Sequence, residues 1–214
     1  QVRAGEIVCI YGLMGAGRTE LLEAVAGRGE LVEGRVMLEG QNVAGLTIAE
    51  RIACGLSLVP EDRQRDGLVQ IMAIRENLTL SSLGRFTRAF HLDLKAEART
   101  AIDFIKRLTI KVASAENPVS TLSGGNQQKV VIGKALMTNP KILLMDEPSR
   151  GIDIGAKAEV FRTMRKLAAE GLGILFVTSD LDEVRALSDR ILVMANGRIS
   201  GEFPGDADAA AIIG

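Results

Sequence analysis

Residues 12–19 read GLMGAGRT, two glycines five apart followed by a cation and a hydroxyl. The spacing follows G-x-x-x-x-G-K-[ST], a loop whose backbone N–H groups face phosphate, with Arg18 in the lysine position. Thr19 is placed to offer its hydroxyl to Mg²⁺. Eight residues alone could equally be a glycine-rich turn that binds nothing. The chemistry needs more groups: a carboxylate for the metal shell, a second to polarise water, and donors for the terminal phosphate.

Those groups occur further along. The run KILLMDEP is an apolar strand ending in Asp146 and Glu147. An aspartate at the carboxyl end of a buried strand can support a metal shell, since ligands in such sheets bind outside those strand ends. Glu147 can then polarise the attacking water, because phosphoryl transfer is governed by positioning and electrostatics. About 20 residues earlier, LSGGNQQK (122–129) opens the helical run VVIGKALMTNP. Ser123, Gly124 and Gly125 leave free N–H groups and a hydroxyl at a helix start, a second place where phosphate can be met.

These residues need a scaffold that alternates strand and helix. EIVCIYG reads as a strand entering the glycine loop, and RTELLEAVAG as the helix leaving it, closed by Gly27. GRVMLEG is expected as a strand. TIAERIACG is expected as a short helix capped by Thr47, and LSLVP as a further strand. Residues 94–108 are amphipathic, with Leu94, Ala98, Ala101, Ile102, Ile105 and Leu108 on one face. A helix is expected from about Gly155 to Glu170, then the strand GILFVTS and a helix near Asp180–Leu187. The strands RILVMANG and RISGEF follow, joined at Asn196-Gly197, a hairpin signal. The tail GDADAAAIIG is expected as a frayed helix.

This alternation predicts an α/β fold with a mainly parallel sheet covered by helices. The expected division is 1–65 as the first part of the α/β core, 66–121 as an inserted helical subdomain, and 122–214 as the Ser123 helix with the rest of the core. The stretch EDRQRD is expected as a solvated charged loop.

The bulk numbers bound the function. At 214 residues, one domain with a full core is expected. A net charge of −1 offers no electrostatic footprint for nucleic acid. No apolar run approaches the length of a membrane span, and the start has no secretory leader pattern. Cys9 and Cys54 are too few for a metal cluster and are expected as buried, reduced thiols. His91, the single histidine, is expected at the surface or a helix start. Aromatics make up 3% of the chain, so few rings can stack on a base.

Taken together, GLMGAGRTEL, VPEDRQRDGL, RENLTL, LSGGNQQKV, DEPSRGIDIGAKAEV and FVTSD resemble an ABC transporter nucleotide-binding domain. The nearest branch is the second cassette of the tandem-cassette ATPases of bacterial monosaccharide importers, of ribose, galactose and xylose type. The resemblance implies a P-loop NTPase core with ATP and Mg²⁺ as cofactors. It implies that Gly12, Gly15, Ala16, Gly17, Arg18, Thr19 and Glu20 hold nucleotide, that Thr19, Asp146 and Glu61 serve the metal, and that Glu147 is the base. Asp153 becomes the D-loop aspartate, and Ser123, Gly124 and Gly125 the signature that meets the nucleotide of an opposite cassette.

Three positions depart from that pattern: Arg18 replaces Lys, Glu61 replaces Gln and Ser179 replaces the catalytic-site His. The arginine fork is bulkier than an ammonium, and Ser179 is too short to bridge a phosphate and a water. Only 11 residues precede Gly12, so the N-terminal strands of a complete cassette, with their adenine-stacking aromatic, are expected outside this chain. Tyr11 is not expected to replace that ring. The chain is therefore expected to be part of a protein about twice as long.

The implied partners are the first cassette of the same polypeptide or a second copy, transmembrane permease subunits and, indirectly, a sugar-binding protein. The implied location is the cytoplasmic face of the bacterial inner membrane. Two other readings stay open: a cassette fully competent in its own right, and a non-transport ABC ATPase.

Overall fold

A computed structural model describes residues 1–88 and 91–213. In chain order the elements are β1 (Ile7–Tyr11), α1 (Arg18–Ala26), β2 (Met37–Leu38), β3 (Gln41–Asn42), α2 (Ile48–Cys54) and β4 (Leu56–Val59). Next come α3 (Ile74–Thr79), β5 (Thr87–Arg88), β6 (His91–Leu92), α4 (Leu94–Arg107) and α5 (Gly124–Leu136). The chain closes with β7 (Ile142–Asp146), α6 (Ile154–Ala169), β8 (Gly173–Thr178), α7 (Leu181–Leu187), β9 (Arg190–Ala195), β10 (Arg198–Pro204) and α8 (Ala209–Ile213).

The chain forms two compact units. The first comprises Gln1–Glu61, Pro140–Pro148 and the chain from Met164 onward; the second comprises Asp62–Asn139 and Ser149–Thr163.

The first unit is built on a sheet of order β10-β9-β1-β8-β7-β4. Every pairing is parallel except β9 with β10, so the fold is the mainly parallel α/β type. The inner strands read as unbroken apolar runs because both faces are covered. Ile10, Leu22, Leu56, Leu144, Val177 and Met194 form one buried cluster. The register sets Tyr11 beside Thr178, Asp146 beside Val177, and Val59 beside Met145. Gly12, Ser179, Glu147 and Glu61 thus leave the sheet along one carboxyl edge.

Local chemistry explains the boundaries. Thr47 caps α2 with a full capping box: its hydroxyl accepts from the Glu50 N–H while the Glu50 carboxylate takes the Thr47 N–H. Helix α1 ends at Gly27, whose φ of 83° admits the left-handed closure. There the buried Arg51 guanidinium donates to the carbonyls of Ala24 and Val25 at 2.9 and 2.6 Å. Asn196 and Gly197 both have positive φ, 51° and 73°, and join β9 to β10 as a two-residue hairpin turn.

In the second unit α3, α4 and α5 pack together. Gly133 of α5 has no room for a Cβ, which would meet Leu78 at 2.6 Å and Leu108 at 3.0 Å. The absent side chain lets the helices close.

Several expectations change. GRVMLEG yields only the two residues of β2, paired with β3 across a turn at Glu39 and Gly40, because so short a ribbon has little to pack against. On α4, Ala101 and Ile105 are buried, as is Leu108 just beyond, whereas Leu94 and Ile102 are exposed; the covered stripe is narrower than the apolar one. EDRQRD is not a plain solvated loop. Residues Arg63–Gly67 form a π-helical turn capped by Asp62, whose Oδ1 accepts from the N–H groups of Gln64 and Arg65. Cys9 is fully buried but Cys54 is only half-buried, and His91 is exposed. Among the described residues no helix is long and apolar enough to cross a membrane.

Candidate functional site

The glycine loop runs between β1 and α1. Gly12 is buried, and any Cβ there would overlap the Met194 carbonyl. Gly15 and Gly17 take φ of 82° and 95°, values that favour glycine. The loop is braced by two backbone bonds: Ala16 N–H to Leu13 O at 3.1 Å, and Gly197 N–H to Ala16 O at 3.0 Å. No side chain caps α1, so its first-turn amides can meet an anion, helped by the helix dipole. Glu20 is exposed in that first turn. Tyr11 lines a neighbouring cleft of about 410 Å³ with Leu13, Met14, Met194 and Ile212.

Arg18 does not point out of the loop. It is 8% exposed, and its Nη1 donates to Glu147 Oε1 at 3.1 Å. Glu147 holds a φ of 42°, a left-handed conformation that costs a non-glycine residue about 1–2 kcal/mol. Its N–H donates to Val177 O at 3.1 Å. The same Oε1 accepts from the Ser179 N–H at 3.0 Å, and Oε2 lies 3.3 Å from the Thr178 hydroxyl. Ser179 thus reaches Glu147 through its backbone, while its residue is exposed to solvent. Thr178 is fully buried and lies closer still to Glu183 Oε2, at 2.8 Å.

Asp146 is buried at the end of β7, and the Thr19 hydroxyl donates to its Oδ1 at 3.3 Å. Burial pushes its carboxyl up to about 6; the Thr19 bond opposes the shift and neighbouring Glu147 adds to it. A carboxylate this costly to ionise gains from a cation. A carboxylate and a hydroxyl are the hard-oxygen donors that Mg²⁺ accepts beside phosphate oxygens and water, so these residues fit the ion. Glu61 lies half-buried just past β4.

The other residues singled out from sequence lie in the second unit. Ser123 precedes α5 and is exposed. Its hydroxyl does not cap the helix but accepts from Asn126 Nδ2 at 3.0 Å, and Asn126 Oδ1 in turn takes the Lys111 N–H at 2.9 Å. The serine proton therefore stays available. Gly125 is buried against α6, where a Cβ would overlap that of Ala156. Asp153 caps α6, its Oδ1 accepting from the Ala156 N–H at 2.9 Å.

Sequence reasoning missed the supports. Lys129 of α5 is 3% exposed and donates to Thr109 O at 3.0 Å and Glu159 Oε2 at 2.5 Å. Thr178, Glu183, Asn126 and Arg63 were missed as well. Asn126 had a local signal, three residues after Ser123; the others had none.

The two compact units with their phosphate loop and Asp-Glu strand end match known proteins. The family model described as ABC transporter matches residues 1–150. The chain belongs to the ABC transporter ATP-binding family. It is 47% identical over 203 residues to a protein named ribose import ATP-binding protein RbsA 2 from Streptomyces avermitilis, covering 95% of this chain and 40% of that one. It is 48% identical over 203 residues to one named xylose import ATP-binding protein XylG from Moorella thermoacetica, covering 94% of this chain and 40% of that one. The chain thus spans two fifths of the length of these relatives. A crystal structure of a nucleotide-free ATP-binding cassette from an ABC transporter aligns with a TM-score of 0.84 at 27% identity, covering 99% of this ABC chain and 85% of the other.

Proposed function

We propose that this chain is the ATP-binding cassette of a carbohydrate importer, and that its two phosphate-facing regions play unequal parts. The relatives named for ribose and xylose import support the transport class. In this reading Gly12, Gly15, Ala16, Gly17, Arg18, Thr19 and Glu20 form an ATP site that binds weakly, with Thr19, Asp146 and Glu61 toward Mg²⁺. Bound there, the ion would neutralise charge on the phosphate oxygens. Ser123, Gly124 and Gly125, with Asp153, complete the site of a partner cassette in the same polypeptide or a second copy. The assembly sits on a permease at the cytoplasmic face of the bacterial membrane, fed by a sugar-binding protein.

One observation carries the asymmetry: the Arg18 guanidinium is engaged by the Glu147 carboxylate. A cation meant for phosphate and a base meant for water occupy each other. Ser179 offers the site only a backbone N–H toward Glu147. The Ser123 hydroxyl, by contrast, is exposed and oriented by Asn126. The test is ATPase activity of the full-length protein with its permease. Ser123→Arg is expected to abolish most turnover, and Arg18→Ala to cost less; equal damage from both refutes the asymmetry.

A second reading, a cassette competent at its own loop, is favoured by the Thr19–Asp146 pairing. It requires turnover of order 1 s⁻¹ or more at this site, lost in Glu147→Gln.

A further inference from the structure

The turn that follows β4 holds an arginine whose surroundings are unusual. Arg63 Nη1 donates to Arg150 O at 2.6 Å, and Nη2 donates to Gly151 O at 2.9 Å. Its Nε is buried with no hydrogen-bond partner. Gly151 is the turn residue of that segment, with a φ of 67°. The same guanidinium lies against the start of α5: a Cβ on Gly124 would come within 2.8 Å of Nη2 and 3.2 Å of Gly151 O. One planar group therefore lies against two segments far apart in sequence, the turn before Asp153 and the glycine after Ser123.

The turn that carries Arg63 is itself held. Gln64 Nε2 lies 3.4 Å from Gln127 Oε1, and Lys134 Nζ donates to the Gly67 carbonyl. Both partners are on α5. Gly67 packs on Val131 with no room to spare, its Cβ position falling 3.0 Å from that side chain. Arg63 thus projects from a base fixed to the helix that Ser123 opens. A lysine could not replace it. An ammonium can meet two acceptors, as that of Lys129 does, but it does not fill the flat space beside Gly124 as the rigid planar fork of a guanidinium does.

We infer that Arg63 is a positioning residue, locking the Arg150–Asp153 turn to the Ser123–Gly125 segment so that both reach a partner's nucleotide as one rigid surface. This deepens, and rests on, the reading that this side of the chain serves another cassette. The expected effect is on turnover rather than affinity. Displacing a positioning surface by about 1 Å can cost up to about a hundredfold in rate.

The experiment compares Arg63→Lys and Arg63→Ala with Ser123→Arg in the full-length protein and its permease, reading kcat and KM for ATP. Both Arg63 variants are expected to lower kcat by about tenfold to a hundredfold, with KM changed less than about threefold. Hydrogen exchange supplies the readout that a general loss of stability would not mimic. In Arg63→Lys, the amides of Ala156 and Lys157, which donate to Asp153, and of Gln127, which donates to the Ser123 carbonyl, should exchange faster together, while those of α3 and α4 keep their protection. Unchanged kcat in Arg63→Ala, with Ser123→Arg inactive, overturns the positioning role and leaves the partner-site reading intact. Full activity in Ser123→Arg overturns that reading, and the exchange pattern then decides the Arg63 link alone. Uniform loss of protection across 62–139 in Arg63→Lys also overturns it.

Discussion

If Arg18 is held by Glu147, then freeing it should tighten nucleotide binding at its own loop. The perturbation is Glu147→Gln. The pair is 3.1 Å apart with side chains 8% and 16% exposed, and two unit charges at that distance attract by about 5 kcal/mol at an effective dielectric of about 20. Most of this does not appear as affinity. The glutamine can still accept from Arg18, and phosphate gives the guanidinium a new partner. About 1–2 kcal/mol is left, or roughly five- to thirtyfold in Kd. The assay is calorimetric titration of the chain with a non-hydrolysable ATP analogue, so that lost turnover cannot pass for tighter binding. Removing Glu147 also removes repulsion toward the terminal phosphate, and the cycle with Arg18→Ala separates the two effects. If the latch exists, the gain from Glu147→Gln shrinks when Arg18 is absent. An equal gain in both backgrounds refutes the latch, as does any loss of affinity in the single variant.

Other predictions bear on the supports. Gly125→Ala should destabilise the chain by about 1–3 kcal/mol in urea unfolding, because its methyl overlaps Ala156. Adding Ala156→Gly should recover most of that loss. The Lys129 hydrogen bond holds the Glu159 carboxyl below its ordinary value, so the pair stabilises the fold above the unfolded carboxyl pKa and ceases to as pH falls through the folded one. Glu159→Gln should accordingly cost about 1–2 kcal/mol near pH 7, less than a fully buried pair since Glu159 is 32% exposed, and almost nothing near pH 3. Burial pushes the Cys9 thiol up, and a buried thiol is inert. A maleimide should therefore modify Cys54 in the native chain and reach Cys9 only on unfolding.

The legible parts of the fold were those with local causes. The strands β1, β7, β8 and β9 announce themselves as apolar runs, Thr47 with Glu50 as a capping box, and Asn196-Gly197 as a hairpin turn. Glycine spacing marked the loop between β1 and α1 for the same reason, since the backbone conformation is set by the residues themselves. What stayed hidden was set across distance. Nothing near Arg18 says that its partner is 129 residues away. Nothing in EDRQRD says that Arg63 will donate to carbonyls 87 and 88 residues on. The left-handed φ of Glu147 has no signal either, because it is imposed by the turn off β7 against the preference of the residue.

The β9–β10 hairpin bears on what the glycine loop depends on for its shape. Its turn donates to the Ala16 carbonyl, and Met194 lies behind Gly12 and Gly17. The loop is thus held from behind by the sheet, whatever stands at position 18. Its shape is maintained by the demands of the core rather than by the side chain at position 18. The backbone frame of the loop and the side chain at position 18 are thus set by different parts of the fold, and one can change without the other.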